Sequence, residues 1–137
     1  MKAHIAKNQF ARVPTILAWN LTPGDQGKLD GMAPAFGMRV VHLTMADAGR
    51  TVAQLLGEAD GPAAPLPAAP APTPALLMAN FRDRDVDTLL DLMKQAQVNA
   101  PLKAVATPSN RSWTFAGLLA HLAAEHATFA AARAKPE

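Results

Sequence analysis

The chain has no cysteine. Disulfides, thiolate metal sites and a cysteine nucleophile are therefore excluded, and the composition suits a reducing compartment. No apolar run approaches the roughly 20 residues needed to span a bilayer. The N-terminus carries bases but no apolar stretch leading to a cleavage site, so no signal peptide is expected. A soluble, cytoplasmic protein is the default reading, with no membrane partner. One-sided charge is also missing. The net charge is +2 over 137 residues, with 13 Lys/Arg against 11 Asp/Glu. Residues 1–60 hold six bases and five acids, and residues 61–137 hold seven and six. Neither half is built for a polyanion, so a nucleic-acid partner is not expected. There is no glycine-rich phosphate loop, and no Ser/His/Asp set can be assigned from spacing.

What the chain does contain is the same pattern twice. At an offset of 60, Leu17 falls on Leu77, Asn20 on Asn80, Asp25 on Asp85 and Leu29 on Leu89. At an offset of 63, Thr44 falls on Thr107, Thr51 on Thr114, Ala53 on Ala116 and Leu55-Leu56 on Leu118-Leu119. Aligning 16–37 with 76–97 and 40–56 with 103–119 gives nine identities in 39 pairs. Each copy reads apolar strand, helix, strand, Thr turn, helix. The predicted fold is α/β: two β-α-β-α repeats forming a small four-stranded sheet with four helices. Within each repeat the strands should be parallel. The helices can coat one face or both, and the strand order is not readable.

The predicted boundaries are an N-terminal arm at 1–13, a first repeat at 14–58, a Pro/Ala-rich linker at 59–74 and a second repeat at 75–134. The arm carries Lys2, Lys7 and Arg12 and no acid. In the first repeat, 15–20 is an apolar strand. Thr22-Pro23-Gly24-Asp25 starts a helix with a cap, a proline where its missing N–H does little harm, and an acid at the positive end of the dipole. Leu29, Met32, Ala33 and Phe36 share one face, and Gly37 stops the helix. Residues 40–43 form the second strand. Thr51-Val52-Ala53-Gln54 is a capping box. The linker holds six of the twelve prolines. Proline removes amide donors and disfavours helix before it, so this stretch reads as an extended spacer, poorly packed and dispensable for folding. In the second repeat, 83–97 is a helix burying Val86, Leu89, Leu90 and Met93, and 102–107 is a strand. Thr114 caps a last helix that turns Phe115, Leu118, Leu119 and Leu122 inward, and Trp113 is expected to plug the core.

Residues 75–126 resemble the bacterial domain-of-unknown-function family 3783. The likeness is carried by Ala100-Pro-Leu-Lys-Ala-Val-Ala-Thr-Pro-Ser-Asn-Arg-Ser-Trp-Thr-Phe115, then by Leu118-Leu119 and Glu125-His126. In the first repeat Asp47 stands where Asn110 does, and Arg50 where Trp113 does. The resemblance supports the fold and implies no activity.

Three elements are candidates for chemistry. His121, Glu125 and His126 lie on one helix, but histidines five apart point about 140° away from each other, the wrong phase for a shared metal. His121 and Glu125 are spaced as an ordinary helix pair, so no metal and no cofactor is expected. His42, in an apolar strand, reads as a hydrogen-bonded structural residue. The turn Thr107-Pro-Ser-Asn-Arg-Ser-Trp-Thr114 follows a strand and opens a helix, where open α/β sheets place ligands. Thr107, Ser109, Asn110, Arg111 and Thr114 are the candidate ligand-binding residues, with Arg111 facing an anion. Against this, Thr107 and Asn110 are also the residues of a structural turn. No catalytic residue is assigned. The favoured function is a non-catalytic protein-interaction or regulatory module with a protein partner, as monomer or homodimer. The alternative is a domain that binds a small anion or metabolite at 107–114.

Overall fold

The computed structural model describes residues 13–66 and 68–134, with side chains described as far as residue 128. Most of the expected N-terminal arm lies outside the described residues. The elements run β1 (Thr15–Trp19), α1 (Pro23–Met32), β2 (Arg39–Leu43), α2 (Val52–Leu55), β3 (Ala75–Ala79), α3 (Asp83–Ala96), β4 (Leu102–Val105) and α4 (Phe115–Ala134). Short 3₁₀ turns at Pro34–Phe36, Met45–Asp47 and Asn110–Ser112 join them. The class is α/β, with one four-stranded sheet and four helices.

The sheet order is β2-β1-β3-β4. β1 is parallel to β2 and β3 is parallel to β4, but the central pair β1–β3 is antiparallel. The sheet is therefore mixed. Both central strands are buried at every position, which is why Thr-Ile-Leu-Ala-Trp and Ala-Leu-Leu-Met-Ala are nearly unbroken apolar runs. Alternate side chains leave on opposite faces. Leu17, Trp19, Ala75 and Leu77 join Val52, Leu56, Phe115, Leu118 and Leu119 of α2, α4 and their ends in one core. Ile16, Ala18, Leu76 and Met78 join Leu29, Leu89 and Met93 of α1 and α3 in the other. The helices thus coat both faces, and each core draws on both halves of the chain.

The central register sets Leu17 against Leu77, the residues that the 60-residue offset equates. On the α2/α4 face an isolated antiparallel bridge sets Thr51 against Thr114, which the 63-residue offset equates. Two reciprocal hydrogen bonds flank that bridge. Val52 N–H donates to Trp113 C=O, and Phe115 N–H donates to Arg50 C=O, both at 2.9 Å. The two halves meet about an approximate two-fold axis through these two pairs.

Local signals explain the helix ends. Thr22 Oγ1 accepts from Asp25 N–H at 3.1 Å. Thr51 Oγ1 accepts from Gln54 N–H, and Gln54 Oε1 accepts from Thr51 N–H, the reciprocal box its spacing implies. Thr114 Oγ1 accepts from Gly117 N–H. Gly37 ends the first helical stretch at φ 74°, a conformation that disfavours a side chain.

Three inward assignments fail. Phe36 is 51% exposed, because α1 stops at Met32 and the tighter 3₁₀ turn that follows changes the angular phase. Leu90 lies at the margin of the buried stripe of α3 and is exposed. Trp113 is also exposed, at 38%. Its backbone is extended and donates and accepts in the bridge to the first half, so its side chain points away from the core. The indole rests edge-on against His121, with ring centroids 5.3 Å apart. Phe115 takes the interior place and meets Trp19 at 6.0 Å.

The connector is exposed over residues 59–65 but is not a free spacer. Ala64 N–H donates to Gly49 C=O at 2.8 Å. The carbonyl of Ala64 lies where a Cβ on residue 49 would stand, so glycine is required there. Leu66 and Ala71 pack against the α2/α4 core.

Phe115→Ala should lower stability by about 3–5 kcal/mol. Trp113→Ala should stay within about 1 kcal/mol of wild type. Chemical denaturation of the two variants checks the assignment; the reverse ranking would overturn it.

Candidate functional site

The turn at 107–114 is held together by its own polar groups. Asn110 Oδ1 accepts from Thr107 N–H at 2.8 Å, and Thr107 Oγ1 accepts from Asn110 N–H at 3.1 Å. Asn110 Nδ2 donates to Val105 C=O at 3.1 Å. The Asn110 side chain is buried and has used both ends of its amide. Thr114 caps α4. Ser109 is exposed, and its carbonyl accepts from the Ser112 hydroxyl at 3.4 Å. Arg111 Nη1 reaches both carboxylate oxygens of Glu58, at 2.6 and 2.5 Å. The structure brings Thr107 and Asn110 together. It sends Arg111 across to the first half, where it lines a surface groove of about 420 Å³ with Thr51, Gln54 and Asp60.

The matching turn in the first half is similar but poorer. Asp47 Oδ2 accepts from Thr44 N–H at 2.8 Å and from Thr44 Oγ1 at 3.1 Å. A carboxylate has no proton to give, so Asp47 has no counterpart to the bond from Asn110 to Val105 C=O. This explains why an amide at 110 does more than close a turn: it also satisfies a carbonyl of edge strand β4. The antiparallel central pair places the two turns at opposite ends of the sheet. They do not flank one pocket.

Outside the turns, His42 Nε2 meets Asp30 Oδ1 at 2.7 Å, and His121 Nε2 meets Glu125 Oε2 at 3.2 Å. Both histidines are side-chain partners of a carboxylate on the protein surface. Buried Asp25 ties the halves together, accepting from Asn99 N–H at 3.0 Å. Among the described residues no group of three His, Asp or Glu is arranged to hold a metal ion. No helix among them is long and apolar enough to cross a membrane.

Sequence reading missed one place. At the carboxyl ends of β1 and β2, Trp19, Leu43, Thr44, Met45 and Gln26 line a groove of about 300 Å³ together with Pro70 and Pro72 of the connector. Trp19 Nε1 donates to Ala71 C=O at 2.9 Å, and Asn20 Nδ2 donates to Pro72 C=O at 2.5 Å. The available signal was the repeat itself. Trp19 falls on Ala79, so the indole has no counterpart in the second half.

Asn110→Ala should cost about 1–3 kcal/mol, the scale of leaving buried backbone groups without partners. Arg111→Ala should cost at most about 1 kcal/mol, as for other ion pairs reached by solvent. Thermal or urea melts compare them, and equal losses would contradict this account of the turn. A second expectation concerns Asp85. The backbone N–H of Arg82 beside it, more than any other cause, holds its carboxyl below the ordinary 3.8. A carboxyl depressed by folding stabilises above its unfolded value, and that contribution is lost as pH falls through the folded value. Asp85→Asn should therefore be less stable than wild type at neutral pH. The gap should close as pH drops through and below 3.8; a gap independent of pH would contradict it.

Comparison with known proteins agrees with the resemblance read over residues 75–126. Neither the curated proteins nor the solved structures yield a match. Residues 74–129 match the model of DUF3783, a domain of unknown function. The match begins just before β3 and ends inside α4, so it covers the second β-α-β-α unit.

Proposed function

We propose that the protein is a non-catalytic interaction module that docks a protein partner on the outer flank of its second half. One comparison carries the reading. In the first half the flank between α1 and edge strand β2 is closed by the polar pair Asp30 and His42. The offsets of 60 and 63 place Leu90 and Val105 at those two positions in the second half. Both are exposed, at 36% and 41%. A polar pair is what a solvated flank requires. Two large apolar side chains at the same place suit a covered one. The strand beside them is an edge, and edge strands offer backbone groups to a partner.

The alternative, a small anion or metabolite at 107–114, has less support. Arg111 already faces Glu58, and the amide of Asn110 is fully engaged. A cytoplasmic location belongs to the same reading and rests on composition alone.

The test is Leu90→Glu with Val105→Glu in the intact chain. The double variant should keep its melting temperature within a few degrees and lose the partner that wild type retains in cross-linked pull-downs from its own cells. Equal retention by both proteins would sink this reading. A thermal shift of wild type by millimolar phosphate or carboxylate, abolished by Arg111→Ala, would favour the anion instead.

A further inference from the structure

The groove around Trp19 lies at the other end of the sheet from the 107–114 turn, and its chemistry differs. It presents two hydrogen-bond donors, the Trp19 indole N–H and the Asn20 side-chain amide. They meet the carbonyls of two successive residues, Ala71 and Pro72. Trp19 is 5% exposed and its ring sits in the α2/α4 core, which fixes the direction of its N–H. Asn20 is fixed differently, by a left-handed backbone at φ 56°. Both of these contacts read acceptors. A proline-rich segment is the natural match, because each proline removes a backbone donor and leaves its carbonyl in need of a partner. Proline also holds itself and the residue before it extended, so little ordering is needed on docking.

The apolar walls agree with that chemistry. Leu43 and Met45 line the groove together with Pro70 and Pro72, and Met45 is 60% exposed. Methionine adapts its shape to different partners. The connector does not fill the space: about 300 Å³ stays open beside it. The second half supplies an internal control. There Asn80 has the same left-handed backbone, at φ 62°. Its amide lies 3.5 Å from Val13 C=O in the segment entering β1. The position of the indole is taken by Ala79, and the entering residues Val13-Pro14 hold one proline where Pro70-Ala-Pro-Thr-Pro74 holds three. Among the described residues, aromatic donor and proline-rich segment occur together at one end only.

We propose that the Trp19 groove is a recognition site for proline-rich peptide, its two donors engaged here in cis by the connector, and that it takes a proline-rich segment of another protein in trans. The proposal shares with the previous reading only the premise that the chain binds proteins. It uses a different surface.

The experiment replaces residues 62–73 of the full chain with a Gly/Ser segment of equal length. The probe is a synthetic peptide of residues 65–74, beside a control with every proline changed to alanine. Binding is followed by the Trp19 indole N–H resonance, with Trp113 as internal reference. The expected result is saturable binding that shifts Trp19 and not Trp113. The control peptide should be weaker. Wild type should bind the proline peptide at least ~10-fold more weakly, since its own connector occupies the groove most of the time. Trp19→Phe in the replaced chain should abolish binding, and Leu90→Glu with Val105→Glu should leave it unchanged, which separates failure here from failure of the flank. A folded replaced chain with no binding at millimolar peptide overturns the proposal. So does equal affinity for the control. If the replaced chain does not fold, hydrogen exchange of the wild-type Trp19 indole decides. Exchange faster than global unfolding supports a connector that lifts, and exchange only through global unfolding overturns it. A wild-type dimer held by exchanged connectors would assign the groove to a second copy and overturn a partner in trans.

Discussion

The antiparallel pairing of β1 with β3 is the constraint on which the rest of the structure depends. Each half supplies two parallel strands, one helix for each face and a capped turn. Neither half alone supplies the whole of either core. Set against each other with Leu17 on Leu77, the inner strands become fully interior. The helices then close two cores, each shared by both halves. The second contact, Thr51 on Thr114, fixes the α2 and α4 starts to each other by reciprocal backbone bonds. Between them these contacts leave the two halves no freedom to slide, since a one-residue slip in the central register would turn every inner side chain to the wrong face.

Much of this was legible in the sequence because it is local. The cap at Thr22, the box at Thr51 and Gln54, and the stop at Gly37 need only neighbouring residues, and each stands where its spacing implies. The two offsets carried more than periodicity could. One pair equated by each offset, Leu17 with Leu77 and Thr51 with Thr114, meets across the axis. What stayed hidden was set by distant partners. The strand order depends on which edges pair, and an apolar run suits an antiparallel centre as well as a parallel one. Trp113 reads as a core residue by its type. Its direction is set instead by a backbone that bridges to residues about 60 positions away. The connector reads as a spacer because proline denies it regular structure. Its seat depends on a tryptophan in another element that composition does not link to it.

The candidate turn shows how one atom separates similar sequences. Thr44–Asp47 and Thr107–Asn110 close in the same way, through a side-chain oxygen that accepts from the threonine N–H. The amide nitrogen of Asn110 then adds a donor that a carboxylate lacks, and it serves the end of β4. Asparagine at that place is therefore explained without a ligand. Arg111 joins the halves through Glu58. Thr107, Asn110 and Thr114 thus make the hydrogen bonds of the turn and of the cap of α4. The surfaces left over are the flank at Leu90 and Val105 and the groove at Trp19.

The opposed direction of the two parallel pairs has a geometric consequence. The carboxyl ends of β1 and β2 point one way along the sheet, and those of β3 and β4 point the other. About five residues of strand, on the order of 17 Å, lie between them. Anything seated at one end is screened from anything seated at the other by the body of the sheet. The Trp19 groove and the Thr107–Asn110 turn therefore face away from each other, with the length of the sheet between them.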